Sequence, residues 1–241
     1  MRQTWRARTT ANCSPYRWYN WVMKSLENSA MTLPSESTLA PEMDQAVDLS
    51  QDDLFALEGA LDSADKHGVR IEVTDGQPIE VMRNMTYLHQ YIIENAFLFI
   101  RPYVIANQLG RVHTAGLGYI LIGTRKKVIM RRYPDFSFIR AAQIPKGYDL
   151  NGDFVGAPDL AVEVISPGQS NTVVFTKVTE YLRAGAEEVW LVYPHRRSVT
   201  QIRHDADEWR VYALDESIET PLFPAFAVPV AALFNIDTDA E

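Results

Sequence analysis

Residues 156–191 read GAPDLAVEVISPGQSNTVVFTKVTEYLRAGAEEVWL, and the order of patterns within them decides the fold. Leu160–Ile165 is rich in β-forming residues and alternates. Leu160, Val162 and Val164 share one face, while Asp159, Ala161, Glu163 and Ile165 share the other. Ser166-Pro167-Gly168 ends this strand, and Asn171 or Thr172 stands where it can cap a helix. Val174, Val178 and Leu182 give that helix its apolar stripe, and Gly185 stops it. Glu188–Val192 then reads as a continuous apolar strand. Strand, helix and strand in this order predict a parallel pair joined by a right-handed crossover, and therefore an α/β fold.

The same stretch carries chemistry. An acid on an otherwise apolar strand is costly to bury unless it is paired or holds a metal. Asp159 and Glu163 share a face, and Lys177 and Tyr181, one helical turn apart, project together. Carboxylates and a lysine meeting at one end of a sheet suit metal-dependent phosphodiester hydrolysis. The blander reading leaves Asp159 exposed at an edge, Glu163 in a salt bridge and Lys177 in solvent. Upstream, Asp135-Phe136-Ser137-Phe138-Ile139 alternates as another strand, with Asp135 and Ser137 on one face. Asp135 and Glu163 on adjacent strands could hold Mg²⁺, a hard ion that prefers oxygen ligands and keeps several waters. A lysine beside them could orient or deprotonate the attacking water, or counter charge on the phosphate.

Working outward, Ser50-Gln-Asp-Asp53 is a helix start, with Leu54, Leu57 and Leu61 as its stripe and Gly68 as its stop. Ile71–Val73 and Ile79–Met82 flank Asp75-Gly76, a strong hairpin signal. Leu88, Ile92 and Phe99 predict a helix over residues 86–100 that ends before Pro102, with His89 near its start. Tyr119–Ile122 and Val128–Met130 are strands around a turn in which Arg125, Lys126 and Lys127 are joined by Arg131 and Arg132. This cluster is either a solvated hairpin tip or a patch that grips nucleic-acid phosphates. Residues 140–157 form a Pro/Gly-containing loop, long enough to be either functional or a partly ordered flap. Downstream, Val199–Arg203 and Trp209–Tyr212 pair as a hairpin, and the tail from Leu222 packs along a sheet edge.

Composition narrows the class. The chain has 241 residues, 46% of them hydrophobic, and a formal net charge of −8. That balance argues against non-specific coating of nucleic acid, which depends on releasing counterions from phosphates. The single Cys13 excludes an intramolecular disulfide framework and a multi-cysteine zinc site. No apolar run is long enough to span a membrane, so a soluble, cytoplasmic protein is expected. Residues 1–49 form an extension and linker, expected to be poorly ordered, ahead of a single domain over 50–241. Its first 30 residues hold Arg2, Arg6, Arg8, Trp5, Trp18 and Trp21. They read either as a basic, aromatic arm or as an upstream extension before Met31. No GxxxxGK[ST], GxGxxG or HExxH motif is present.

PDFSFI at 134–139, APDLAVEVISPGQS at 157–170, Lys177, Tyr181 and AGAEEVWLVYP at 184–194 together resemble the Uma-two family of restriction-type endonucleases, within the PD-(D/E)XK nuclease superfamily. The hairpin IEVTDGQPIEVM at 71–82 and His89 are similar to its N-terminal half. The resemblance implies a restriction-endonuclease-like α/β core, a mixed sheet flanked by helices. It also implies Asp135, Glu163 and Lys177 as the catalytic set, with Asp135 and Glu163 as metal ligands. Glu72, His89, Asp159 and Tyr181 are secondary candidates. The superfamily's lysine lies two residues after the acid, where this chain has Ile165; the family places it on the following helix, as Lys177 is placed. Val173 stands where an acid is frequent, and Tyr193 where an aspartate is common. The expected activity is Mg²⁺-dependent cleavage of nucleic acid, DNA before RNA, with Mn²⁺ as a substitute and a homodimer as an allowed assembly. The alternatives are a weak or inactive nuclease-fold module that binds nucleic acid or a protein, and a hydrolase of small phosphoesters.

Overall fold

The structure, a computed structural model, describes residues 50, 53, 56–61, 70–80, 85–206 and 209–235. The expected extension 1–49, the helix stop at Gly68 and the strand end at Met82 lie outside the described residues. Ser50 and Asp53 bond reciprocally: each backbone N–H donates to the other's side chain, at 3.2 Å both ways. This is a capping box, and it opens the helical segment that places Leu57 in the core. Asp75 and Gly76 take positive φ, 49° and 74°, as a two-residue hairpin turn requires. They join β1 (Ile71–Thr74) to β2 (Gln77–Glu80) with Thr74 opposite Gln77.

Two sheets follow. Strands β4 (Tyr119–Thr124), β5 (Lys127–Arg132) and β7 (Phe154–Val155) join the first hairpin in a five-stranded sheet of order β2-β1-β5-β4-β7. The other strands are β3 (Gly110–Thr114), β6 (Phe136–Arg140), β8 (Leu160–Val164), β9 (Glu188–Tyr193), β10 (Ser198–Arg203) and β11 (Arg210–Tyr212). They form a six-stranded sheet of order β11-β10-β9-β8-β6-β3. β8 and β9 are parallel, as the strand–helix–strand passage requires, while β6 runs antiparallel to β8 with Phe136 opposite Val162. The result is a mixed α/β fold.

Alternation gives this sheet two different faces. Phe136, Phe138, Leu160, Val162, Val164, Trp190 and Val192 pack against Ile92, Ile93, Ala96, Ile100 and Val104 of α1 (Tyr87–Ala106). The opposite face carries Ser137, Ala161 and Glu163, and α2 (Asn171–Arg183) buries Val174, Lys177, Val178 and Tyr181 there. The tail forms a β12–β13 hairpin (Ser217–Glu219 with Ala227–Pro229) and a single-turn α3 (Val230–Leu233). Val230 and Leu233 close the apolar core beneath α1. Among the described residues no helix is long and apolar enough to cross a membrane.

Three expectations need correction, and one strand was not foreseen. α1 does not stop before Pro102 but continues to Ala106 with the proline inside it. The carbonyl left without its helical donor is that of Leu98, whose residue is 61% exposed, so water can reach that face. Ser170, not Asn171 or Thr172, caps α2 by accepting a bond from the Val173 N–H. Within 140–157, the loop expected as a flap, Phe154–Val155 pairs in parallel with Tyr119–Ile120. β3 carries no alternation of its own to read, because Arg111, Val112 and His113 are all at least partly exposed.

Gly123 sits at a register shift between β4 and β5 with φ of 112°, and a Cβ there would lie 2.2 Å from the Lys127 carbonyl oxygen. Gly123→Ala is therefore expected to lower stability by about 2 kcal/mol or more. A shift of the urea midpoint measures it, and an unchanged midpoint would contradict the tight approach.

Candidate active site

Asp135 stands immediately before β6 and is fully buried. Its N–H donates to the Val162 carbonyl at 3.0 Å, and its Oδ2 accepts the Val164 N–H at 2.8 Å. The carboxylate thus takes a place in the ladder to β8, which fixes it beside the strand that carries Glu163. One step beyond the Phe136–Val162 pair, Asp135 falls opposite Glu163 in the antiparallel register, so both point to the same face. His89, buried near the start of α1, brings its Nε2 within 3.2 Å of Asp135 Oδ2 without hydrogen-bond alignment.

Lys177 and Tyr181 descend on the same face from α2. The Lys177 ammonium lies 2.7 Å from Glu72 Oε1 and 3.7 Å from Glu163 Oε2. The Tyr181 hydroxyl donates to Glu163 Oε1 at 2.9 Å. Burial, reinforced by Glu163 and Glu72, pushes the Tyr181 phenol well above its ordinary range, so it remains a donor at any working pH. Glu72 reaches the site because Ile71 and Val73, its neighbours on β1, face the cluster around Leu57 and turn it the other way. Glu163, Lys177, Tyr181 and Glu72 therefore come together in one network, while His89 meets Asp135, which stands opposite Glu163 in the strand register.

Asp159 does not join them. Four residues back along β8, about 13 Å at strand rise, it accepts bonds from the Arg140 N–H at 2.7 Å and Gln143 Nε2 at 2.9 Å. Burial raises its pKa, with the Arg140 bonds opposing. It is the anchor of the turn after β6. The basic cluster also resolves differently from a phosphate-gripping patch. Arg131 is buried, pairing with Asp153 at 2.9 Å and donating to the Ile71 carbonyl. Arg132 grips Glu180 through two bonds, 2.6 and 2.8 Å, and donates to the Val73 carbonyl. Arg125 holds Asp149 at 2.6 Å and the Asp153 carbonyl at 3.0 Å. Only Lys126 and Lys127 remain exposed at the tip with no ion pair among the described residues. Of the five cations within eight positions, the two at the end of β5 are buried and paired, and Arg125 is half-buried against the loop that follows β6.

Glu180 is the residue that sequence reading missed. It is 2% exposed, and burial raises its pKa while Arg132 opposes the shift. Its signal was present: Lys177, Glu180 and Tyr181 fall at i, i+3 and i+4 on one helix face. Val173, one turn before Lys177, is half exposed and takes no part in the network. A cavity of about 910 Å³ between β10–β11 and the C-terminal hairpin is lined by none of these site residues.

The Uma2 family, described as "Putative restriction endonuclease", matches residues 52–231. The chain belongs to this family. A solved structure described as "a putative nuclease belonging to DUF820 from Anabaena variabilis" is similar in fold, with a TM-score of 0.57 and 24% identity over 68% of this chain and 89% of that one. No curated protein matches. The family match covers Glu72 through Tyr181, so the whole buried cluster lies within the part of the chain that the family spans.

Removing one partner of a buried ion pair leaves the other charge uncompensated. Arg132→Met is expected to lose about 3–5 kcal/mol of stability in denaturant unfolding. The double variant Arg132→Met/Glu180→Leu should recover most of that loss. Equal instability of the single and double variants would show that Arg132 acts through its backbone bonds instead.

Proposed function

We propose that this chain is a Mg²⁺-dependent endonuclease that hydrolyses phosphodiester bonds in DNA. The observation that supports it best is the charge balance of the buried cluster. Glu163, Glu72 and Glu180 set three buried carboxylates around the two cations Lys177 and Arg132, and Asp135, opposite Glu163 on the neighbouring strand, adds a fourth. The formal deficit of two fits a divalent cation. Among the described residues no three His, Cys, Asp or Glu side chains gather as a ready-made metal cage. Mg²⁺ does not require such a cage, since it binds through one or two carboxylates and takes its remaining ligands from water and substrate phosphate.

Asp135 and Glu163 would hold the ion, Mn²⁺ being the expected substitute. A divalent cation bound there supplies a water of lowered pKa and draws charge from the phosphoryl oxygens. The chain's own residues do the rest. Tyr181 fixes the Glu163 carboxylate by its hydrogen bond, and the Val164 N–H fixes that of Asp135. Lys177 offers N–H donors beside Glu163 to orient the attacking water and to counter charge developing on the phosphate. Glu72 holds the Lys177 ammonium at the mouth of this arrangement. With Arg131 and Arg132 turned inward, substrate contact outside the site rests on Lys126 and Lys127, which suits a chain of net charge −8.

The purified full chain should nick or cut plasmid DNA with Mg²⁺ or Mn²⁺ and not with EDTA. Glu163→Gln and Lys177→Met should each lose at least about a hundredfold in rate while keeping the parent's circular dichroism. Tyr181→Phe should lose about tenfold and need more Mg²⁺ for half-maximal rate, because it loosens a ligand and leaves it in place. Undiminished cleavage by Glu163→Gln would overturn the assignment. Metal-independent binding of DNA with no cleavage of DNA or RNA would point instead to a binding module.

A further inference from the structure

α1 carries large apolar residues outside its core face as well as on it. Its inner side is the core face described above. On its outer side Tyr87 is 76% exposed, Leu98 61% and Ile105 44%. These residues, with the half-exposed Tyr91 between them, fall at the three-, four- and seven-residue steps of a single stripe. Tyr87 and Tyr91 pack edge to face at 4.7 Å, which gives one end of the stripe a firm aromatic surface. Exposed apolar residues that line up in one stripe, with polar residues among them, mark a contact surface, so the outer stripe calls for a cover.

Its charges say what kind. Glu94 and Arg101 are the acidic and basic residues in the middle of the stripe, both exposed, seven positions apart. Neither makes an ion pair among the described residues; Arg101 lies over the Phe97 ring at 5.5 Å. They stand equally far on either side of the point between Phe97 and Leu98, about 10 Å apart along the axis. Laid antiparallel on itself about that point, the helix places Glu94 opposite the partner's Arg101 and Arg101 opposite the partner's Glu94. Leu98 meets its own copy near the axis, and Ile105 falls toward the partner's Gln90 and Tyr91. A two-fold contact uses one patch twice and must be self-complementary, which this stripe is in both charge and apolarity.

We propose that the outer face of α1 is the contact through which two copies of this chain form an antiparallel, two-fold dimer. One helix pair is smaller than the roughly 800 Å² per partner of a standard interface, so the dimer exchanges with monomer rather than being permanent. The interface argument uses no residue of the nuclease cluster and stands apart from the proposed activity. Its test needs no cleavage.

Sedimentation velocity of the full chain across the micromolar range should show monomer passing to dimer with concentration. Glu94→Arg and Arg101→Glu each set like charges opposite one another twice, and each should weaken dimerisation by about tenfold or more. An equimolar mixture of these two variants should dimerise again, because every cross-pair is then of opposite sign. Leu98→Glu should be monomeric. All three positions are exposed, so unchanged thermal melting checks that folding is intact. A full chain that is monomeric at every concentration overturns the proposal, including the case in which another segment of the same chain covers the stripe. Charge variants that dimerise as tightly as the parent overturn it as well.

Discussion

A buried ammonium is tolerated only where carboxylates surround it, and Lys177 obtains them from both sheets. Glu72 comes from the five-stranded sheet and Glu163 from the six-stranded one. The lysine itself comes from the helix laid over the six-stranded sheet's β8 and β9. Three elements distant in sequence are therefore held in register by one cation. The rest of the cluster follows from that arrangement. Tyr181 lies one turn along the helix and reaches the other carboxylate oxygen of Glu163, and Glu180 beside it meets Arg132 on β5. Remove the shared face of α2 and neither sheet has a reason to bring its acid inward.

The two ion pairs differ in what they can do. Arg132 and Glu180 are joined by two parallel bonds, and Arg132 is also tied to main-chain carbonyls, so its donors are largely committed. This is a structural clamp between sheet and helix. The Lys177 amine is a point charge on a flexible stem, shared unequally between two carboxylates. A group held at 2.7 Å by one acid and 3.7 Å by another can change partners without unfolding anything. The clamp and the flexible amine lie one turn apart on α2, and the first keeps the second where it can act.

Much of this was legible in the residues themselves. Glu163, Lys177 and Tyr181 could be read because period and spacing place them on defined faces of a strand and a helix. Asp135 could be read because the next strand alternates. What misled was the assumption that like residues share a role. Asp159 has the same residue class and face as Glu163, yet a turn after β6 donates two hydrogen bonds to it, and no local pattern announces that turn. The cations of 125–132 looked like one patch because proximity in sequence is not proximity on a surface. On β5, burial removes Arg131 and Arg132 and leaves the tip to the lysines. Glu180 was overlooked because an acid on a helix is normally solvated; only the Arg132 guanidinium, 48 residues away, makes it a core residue.

Pro102 shows the same limit from another side and leads to the outer face of the molecule. The residue rule places a stop before a proline, since its ring removes one helical bond. A helix whose inner stripe is already packed can absorb that loss when the orphaned carbonyl faces water. Tertiary burial of Val104 beyond the proline outweighs a single missing bond, so α1 runs on and carries Ile105 with it. Without those last turns the outer stripe would end at Arg101 and have no apolar residue to set against Tyr91. The continuation that defeats the local rule therefore also lengthens the face left for a second copy. At the opposite end of the same helix, His89 touches Asp135, so the core, the site and the outer stripe are three sides of one rigid element.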